Sequence, residues 1–202
     1  GGIIRFNISD GDARKGDRYA GLWVRSDGGA MARLRIYNNT VRMVRGGKQA
    51  AYVNGKSIEA EFRNNIFAGC DGSMPLVVEQ PEGKLRFENN LYWGNGAPLR
   101  LQWDRRDYAS LEDWRRATGQ EASAGKPLGA FANPEFPAEA PKPPSGDDWL
   151  ARLAAYQPRL SPAGWPLLNQ PQPPPGTGDS VDILGRVLTA GRWPIGAIAP
   201  GS

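Results

Sequence analysis

Residues 62–66 read Phe62-Arg63-Asn64-Asn65-Ile66, in which an apolar residue, a spacer and asparagine lead into a second apolar residue. The same pattern recurs at three other places, Ile4-Arg5-Phe6-Asn7-Ile8, Ile36-Tyr37-Asn38-Asn39-Thr40 and Phe87-Glu88-Asn89-Asn90-Leu91. The last asparagines stand at positions 7, 39, 65 and 90, so the steps between them are 32, 26 and 25 residues. A recurring period of this length indicates an array of repeated structural units.

A second set of short apolar runs lies between these asparagines at matching offsets: Gly21-Leu22-Trp23-Val24-Arg25, Ala50-Ala51-Tyr52-Val53-Asn54, Pro75-Leu76-Val77-Val78-Glu79 and Pro98-Leu99-Arg100-Leu101-Gln102. Each run is short and bounded by Gly, Pro, Asn or Ser, which predicts strands. Two short strands and a turn then repeat in every period, with no helical pattern between them. The sequence therefore predicts an all-β fold, a parallel β-helix of about four coils.

The asparagines have a structural explanation in such a fold. Successive coils stack about 4.8 Å apart, so equivalent side chains lie directly above one another. An asparagine amide offers both a donor and an acceptor, and asparagine tolerates the left-handed backbone of tight turns. We therefore expect Asn7, Asn39, Asn65 and Asn90 to form a hydrogen-bonded ladder that serves the scaffold rather than catalysis.

These asparagine runs resemble the last coils of bacterial right-handed parallel β-helix proteins, the pectate-lyase-like superfamily. The resemblance continues in later motifs, Ser110-Leu111-Glu112-Asp113-Trp114-Arg115, Asn133-Pro134-Glu135-Phe136, Leu160-Ser161-Pro162-Ala163 and Asp182-Ile183-Leu184-Gly185-Arg186. It implies a right-handed, single-stranded solenoid and a secreted or periplasmic protein. Polysaccharide lyases, glycoside hydrolases, epimerases and tail-spike proteins all belong to this superfamily, so the resemblance does not choose a reaction.

The chain divides into residues 1–104, predicted to form the coils, and residues 105–202, predicted to form a short helix and an irregular capping tail on the same domain. Ser110 is a suitable N-cap for a helix that runs through Thr118 and ends at Gly119. The Pro-rich run 166–178 is expected to lie extended, with Trp149, Trp165 and Trp193 holding the tail down. A strand begins by Ile3 with no polar cap before it, so we expect further N-terminal coils or another chain to cover that end.

Composition narrows the possible chemistry. The 202 residues contain no histidine, which excludes Ser-His and Cys-His nucleophiles and histidine-bound zinc within this sequence. Carboxylates, Lys, Arg and Tyr remain as catalytic groups. No run approaches the roughly 20 apolar residues that span a bilayer, so no membrane partner is expected.

Charge is unevenly distributed along the chain. Residues 1–65 carry a net charge of +6 and residues 66–202 a net charge of −2, which gives the total of +4. A basic solenoid face would attract an acidic polymer, and an acidic, uronate-containing polysaccharide is the partner that fits the fold. Nucleic acid is the competing polyanion, but the sequence contains no nucleic-acid recognition signature, so we do not expect it as a partner.

Alternation in the second strand set predicts which side chains point outward. If Leu22, Val24, Ala51, Val53, Leu76, Val78, Leu99 and Leu101 point inward, one outer column contains Trp23, Tyr52, Val77 and Arg100, and its neighbour contains Arg25, Asn54, Glu79 and Gln102. Aromatic and polar groups side by side are typical of sugar sites. We therefore predict substrate contacts at Trp23, Arg25, Tyr52, Glu79 and Arg100, with Arg25 and Tyr52 as candidate catalytic residues. Alternatively, Trp23 and Tyr52 only pack beneath neighbouring loops.

The loop after the first coil strand is rich in charge. Asp10, Asp12 and Asp17 are candidate oxygen ligands for calcium. Arg14, Lys15 and Arg18 are candidates for neutralising a substrate carboxylate. The spacing does not match an EF-hand loop, and interleaved charges are also typical of a solvated surface turn.

These observations favour a carbohydrate-active protein, preferably a lyase. A lyase would abstract the proton next to a uronate carboxyl group, with a Lys, Arg or Tyr base and with calcium or a basic residue stabilising the charge. A hydrolase would need two carboxylates about 5 to 9.5 Å apart, and Glu79 is the one acid predicted on the outer columns. The alternative is a non-catalytic sugar-binding or structural module, such as a tail-spike or adhesin segment.

Overall fold

The computed structural model describes residues 1–12, 19–44, 48–136, 181–188 and 195–197. These residues form a mostly β structure, a parallel β-solenoid of about three turns with one short helix. The parallel solenoid predicted from the asparagine repeat is thus confirmed. The expected number of about four coils is slightly too high, because four ladder positions enclose three full turns.

Three parallel sheets form the walls of the solenoid. Sheet A contains β1 (Gly2–Arg5), β4 (Met31–Tyr37), β7 (Ile58–Arg63) and β10 (Lys84–Glu88). Sheet B contains β2 (Ile8–Asp10), β5 (Thr40–Arg42), β8 (Ile66–Ala68), β11 (Leu91–Trp93) and β16 (Ala130–Phe131). Sheet C contains β3 (Ala20–Arg25), β6 (Gln49–Asn54), β9 (Met74–Glu79), β12 (Leu101–Trp103) and the antiparallel β13 (Arg106–Tyr108).

Each turn therefore contains three strands, where the sequence pattern predicted two. The difference arises at the asparagine repeat, which the chain divides into a sheet A strand and a sheet B strand. The residue before each ladder asparagine has a left-handed backbone, with φ of 50° at Phe6, 54° at Asn38, 53° at Asn64 and 58° at Asn89. That conformation turns the chain sharply, and asparagine adopts it more readily than most residues.

The asparagine ladder is confirmed. The Nδ2 group of Asn7 donates to Asn39 Oδ1, that of Asn39 to Asn65 Oδ1, and that of Asn65 to Asn90 Oδ1, each over 2.9 Å. Each Nδ2 also donates to a backbone carbonyl, and the backbone N–H of each residue donates to the next Oδ1. Asn39, Asn65 and Asn90 are buried, and their amides are thus satisfied within the scaffold, as buried polar groups must be.

Glu121 continues the ladder after Asn90. Its Oε1 accepts hydrogen bonds from Asn90 Nδ2 at 2.7 Å, the Asn90 backbone N–H at 3.1 Å and the Tyr92 hydroxyl at 2.9 Å. The side chain is fully buried, and this burial raises the pKa of Glu121 to about 7. A carboxyl group therefore occupies the place where a further coil would put another amide.

Side chains of the three sheets fill the interior. The residues predicted to point inward from the second strand set lie in the core cluster, with Leu22 partly buried beside it. Phe62 and Phe87 stack at a centroid distance of 4.3 Å and an angle of 3°. This column is the apolar counterpart of the asparagine ladder, because equivalent positions in consecutive turns lie above one another.

The predicted helix is present as α1 (Leu111–Thr118). Ser110 caps it by accepting a hydrogen bond from the Asp113 N–H at 3.1 Å, and Gly119 ends it with φ of 70°. Trp114 is fully buried and packs edge-on against Phe87. The helix thereby covers the core at the last turn, followed by the small hairpin of β14 (Ala122–Ser123) and β15 (Lys126–Pro127).

Two short described segments of the tail lie on the solenoid. Leu188 packs with Phe6 and Tyr37 outside sheet A, and the Gly196 N–H donates to the Asn64 carbonyl at 2.8 Å. The Pro-rich run 166–178 and the tryptophans at 149, 165 and 193 lie outside the described residues. Within the described part of the chain, no helix has the length and apolarity needed to cross a membrane.

Candidate ligand-binding groove

A groove of about 420 Å³ runs over the outer face of sheet C. It crosses β3, β6, β9 and β12 along the solenoid axis, a distance of about 14 Å for three steps of 4.8 Å. Its lining combines aromatic, amide and charged side chains: Trp23, Arg25, Gln49, Tyr52, Asn54, Met74, Val77, Glu79 and Gln102. Four of the predicted sugar-contacting residues, Trp23, Arg25, Tyr52 and Glu79, are thus brought together here.

Strand pairing defines two columns in the groove. Trp23 pairs with Tyr52, Tyr52 with Val77, and Val77 with Gln102. In the second column Arg25 pairs with Asn54, and Asn54 with Glu79. Both columns follow the prediction through their first three positions.

The predicted register of the last parallel strand of sheet C was wrong by two residues, so Arg100 does not lie in the column of Trp23 and Tyr52. Leu76 pairs with Leu101, so Gln102 takes the place beside Val77 that was expected for Arg100. Counting from the ladder would have found this register, because Leu76 and Leu101 each follow a ladder asparagine by 11 residues. A shift of two residues keeps the inward and outward alternation, so the buried residues were still predicted correctly.

Arg100 nevertheless lies close to the end of the groove. Its Nη2 is 2.9 Å from Asp107 Oδ2, and Gln102 Nε2 donates to the other oxygen of Asp107 at 2.9 Å. The Gln102 hydrogen bond and the Arg100 ion pair lower the pKa of Asp107, although burial opposes them. Asp107 therefore links Arg100 to the residue that does line the groove.

The centre of the groove is a hydrogen-bonded cluster of Tyr52, Asn54 and Glu79. The Tyr52 hydroxyl donates to Glu79 Oε2 at 2.7 Å. Asn54 Nδ2 lies 2.8 Å from the Tyr52 hydroxyl oxygen and 3.1 Å from Glu79 Oε2. Contacts within β6 and with β9 thus fix these side chains, while the second oxygen of Glu79 and the amide oxygen of Asn54 can still accept hydrogen bonds from a ligand.

The aromatic side chains contact each other. Trp23 and Tyr52 are stacked with centroids 6.0 Å apart and an angle of 13°, and Tyr19 meets the Trp23 ring edge-on at 5.6 Å. The Arg25 guanidinium carbon lies 5.3 Å from the Trp23 centroid, within cation–π range. Much of the Trp23 ring surface is therefore occupied, and we expect polar groups to supply most ligand contacts.

The two candidate catalytic residues differ in exposure. Tyr52 is 8% exposed, whereas the Arg25 side chain is 51% exposed and forms an ion pair with Asp27.

Two residues that were not predicted from the sequence, Gln49 and Met74, line the same groove. Gln49 donates to the Tyr19 carbonyl at 3.0 Å, so its amide is held by the turn that carries Tyr19.

The loop predicted to bind calcium is described only in part. Asp12 accepts a hydrogen bond from Ser9 at 2.6 Å, and Arg42 Nε lies 3.9 Å from Asp10 Oδ1. Asp17, Arg14, Lys15 and Arg18 lie outside the described residues. Among the residues that the structure describes, no group of three His, Cys, Asp or Glu side chains could hold a metal ion.

Comparison of the chain with family models, with curated proteins and with solved structures gives no match.

Proposed function

We propose that this protein binds a polysaccharide in the sheet C groove. The observation that carries the proposal is the fixed cluster of Tyr52, Asn54 and Glu79 within a groove that runs across three turns. Sugar hydroxyls both donate and accept hydrogen bonds, so paired amide, phenol and carboxylate groups suit them. The repeat of about 4.8 Å between turns offers a regular series of polar positions to an extended chain.

An acidic sugar is the preferred ligand. Arg25 lies at one end of the groove, and Arg100 lies next to Gln102 at the other end. Each arginine already has one carboxylate partner, yet a guanidinium has five N–H donors and can donate to a second carboxylate as well. The resemblance to the pectate-lyase-like superfamily and the basic first third of the chain support this preference, as well as a secreted or periplasmic location.

A lyase reaction is the second part of the proposal. Tyr52 is the candidate proton-transfer residue, because its hydroxyl is held at 2.7 Å from the Glu79 carboxylate. In β-elimination the Tyr52 hydroxyl proton would pass to Glu79 as the Tyr52 oxygen takes the proton next to the uronate carboxyl group. The electrons of that C–H bond form the C=C bond, and the leaving sugar oxygen departs with its bonding electrons and takes a proton from water. Arg25 would stabilise the charge that develops on the uronate carboxylate. Glu79 is the one carboxylate among the described groove residues, whereas a hydrolase uses two.

Binding and turnover can be measured separately. Titration calorimetry with oligogalacturonate, oligomannuronate and neutral cello-oligosaccharides tests binding, and absorbance of the unsaturated uronate product tests elimination. We expect an acidic oligosaccharide to bind. Glu79→Gln should lower its affinity about three- to tenfold, which is the effect of one or two lost hydrogen bonds. Tyr52→Phe removes the hydroxyl that forms the cluster, and Tyr19→Phe is the matched control because Tyr19 is 53% exposed.

The outcomes separate the alternatives. Product that disappears in Tyr52→Phe but persists in Tyr19→Phe would support the lyase. Binding without product would support a sugar-binding module of tail-spike or adhesin type. Equal affinity of the wild type, Tyr52→Phe and Glu79→Gln for every sugar would overturn the assignment of the groove.

A further inference from the structure

The outer face of sheet A forms a second groove of about 530 Å³. Arg33 and Arg35 from β4, Glu59 and Glu61 from β7 and Lys84 and Arg86 from β10 line it. Pairing places Arg35 opposite Glu61 and Glu61 opposite Arg86, while Glu59 lies opposite Lys84. Charged side chains from three consecutive turns thus share one surface, on a different wall of the solenoid from the sheet C groove.

Most carboxylates on this face are already neutralised. Arg63 contacts Glu61 at 2.6 Å and Glu88 at 2.7 Å, and Arg86 also pairs with Glu88. Within the described part of the chain, Arg33, Arg35 and Lys84 form no ion pair. The groove therefore presents three cationic groups against the single unengaged carboxylate of Glu59.

Arg33 has an unusual backbone that directs it to this groove. Met31 pairs with Ile58 and Leu34 with Ala60, so three steps along β4 match two steps along β7. This β-bulge contains Arg33, whose φ is 55°, a left-handed value that a non-glycine residue rarely adopts. Bulges re-aim side chains and are common next to functional sites.

We propose that the outer face of sheet A binds the carboxylate or sulfate groups of an anionic polysaccharide through Arg33, Arg35 and Lys84. Residues two apart on a strand are about 7 Å apart. Lys84 lies two turns from the bulge that contains Arg33, about 10 Å away, and lies diagonally about 12 Å from Arg35. Cations at this spacing match acidic groups on separate sugar units. Two features disfavour a nucleic acid on this face. The intervening Glu59 would repel a continuous row of phosphates. Tyr37, the aromatic residue of the neighbouring outward column, is 1% exposed and cannot stack on bases.

This proposal does not rest on the sheet C groove, and the test keeps the two apart. The double variant Arg33→Gln, Arg35→Gln is made both in the wild type and in Glu79→Gln, and binding of dextran sulfate and polygalacturonate is compared with neutral dextran. The matched control is Arg105→Gln, Arg106→Gln, which removes the same charge from two exposed residues where the turn enters β13. Thermal unfolding checks that every variant is folded.

We expect Arg33→Gln, Arg35→Gln to lower the affinity for the anionic polymers about three- to thirtyfold in both backgrounds, as expected for the loss of two exposed ion pairs. The control double variant should lower it less than twofold, and neutral dextran should not bind to this face. Equal losses in the two double variants would show a general charge effect and overturn the site. Binding of a single-stranded oligonucleotide with the same affinity and the same sensitivity would overturn the saccharide assignment.

Discussion

Replacing Glu121 by glutamine should remove a pH dependence that the solenoid owes to one buried carboxyl group. Glu121 Oε1 accepts three hydrogen bonds, whereas Oε2 is buried with no hydrogen-bond partner among the described residues. An ionised carboxylate is poorly solvated in such a place, and burial accordingly raises the pKa of Glu121 from its ordinary 4.5 to about 7. Glutamine keeps the accepting oxygen and cannot ionise.

The raised pKa of Glu121 determines how much, and in which direction, the free energy of unfolding changes with pH. A folded-state pKa of about 7 against 4.5 in the unfolded chain corresponds to about 3 kcal/mol. The folded state binds the proton more tightly, so this contribution is fully present below pH 4.5 and is lost as the pH rises to 7. Because the chain has no histidine, few other side chains titrate in this window.

Thermal unfolding followed by circular dichroism between pH 4.5 and 8 measures this difference. For a chain of this size 3 kcal/mol corresponds to about 6 to 12 °C, so wild-type Tm should fall by that much relative to Glu121→Gln across the window. Glu112→Gln is the control, because the Glu112 side chain is 78% exposed on α1. Parallel Tm profiles for the wild type and Glu121→Gln would refute the reasoning and place the ionised carboxylate in a better-solvated site.

Two further predictions concern the scaffold. Asn65→Ala should lower the free energy of unfolding by about 3 kcal/mol or more, because it leaves the buried donors and acceptors of the neighbouring turns unpaired. Urea denaturation measures this free energy, and a loss below about 1 kcal/mol would contradict the stabilising role of the ladder. Gly196→Ala should detach the described tail segment, since a Cβ there would lie 2.5 Å from Thr40 Oγ1 at φ of 82°. We expect faster proteolysis after residue 136, while the Tm of the coils stays unchanged. Gly185→Ala is the control for backbone strain, because both glycines have a positive φ but a Cβ at position 185 would meet open space.

The repeat predicted the scaffold because its physics is local. A ladder asparagine satisfies its hydrogen bonds only with copies of itself one turn away, so spacing along the sequence translates directly into stacking. The α1 boundaries were equally readable, since the Ser110 cap and the Gly119 terminator are set by adjacent residues. The third strand of each turn was missed because a single left-handed residue divides what reads as one run.

The groove was only partly predictable. Alternation placed Trp23, Tyr52 and Glu79 outward, but the likeness of Pro75-Leu76 to Pro98-Leu99 gave the wrong register for Arg100. Glu121 could not be recognised as the end of the ladder, because it follows α1 by a turn and carries no asparagine signature. Both errors involve the last turn, where the chain departs from the repeat.

The distribution of polar groups suggests how one scaffold can hold the two proposed binding faces. Inward positions are fixed by core packing and the corner positions by the ladder, so only the outward columns are free to vary between turns. On sheet C these columns hold amides, a phenol, one carboxylate and Arg25, which suits sugar hydroxyl groups together with an acidic group at one end. On sheet A they hold arginines beyond the number of carboxylates that could neutralise them, which suits acidic groups. A polysaccharide carrying both kinds of group could contact either wall, and the paired variants on the two faces would show which wall sets the affinity.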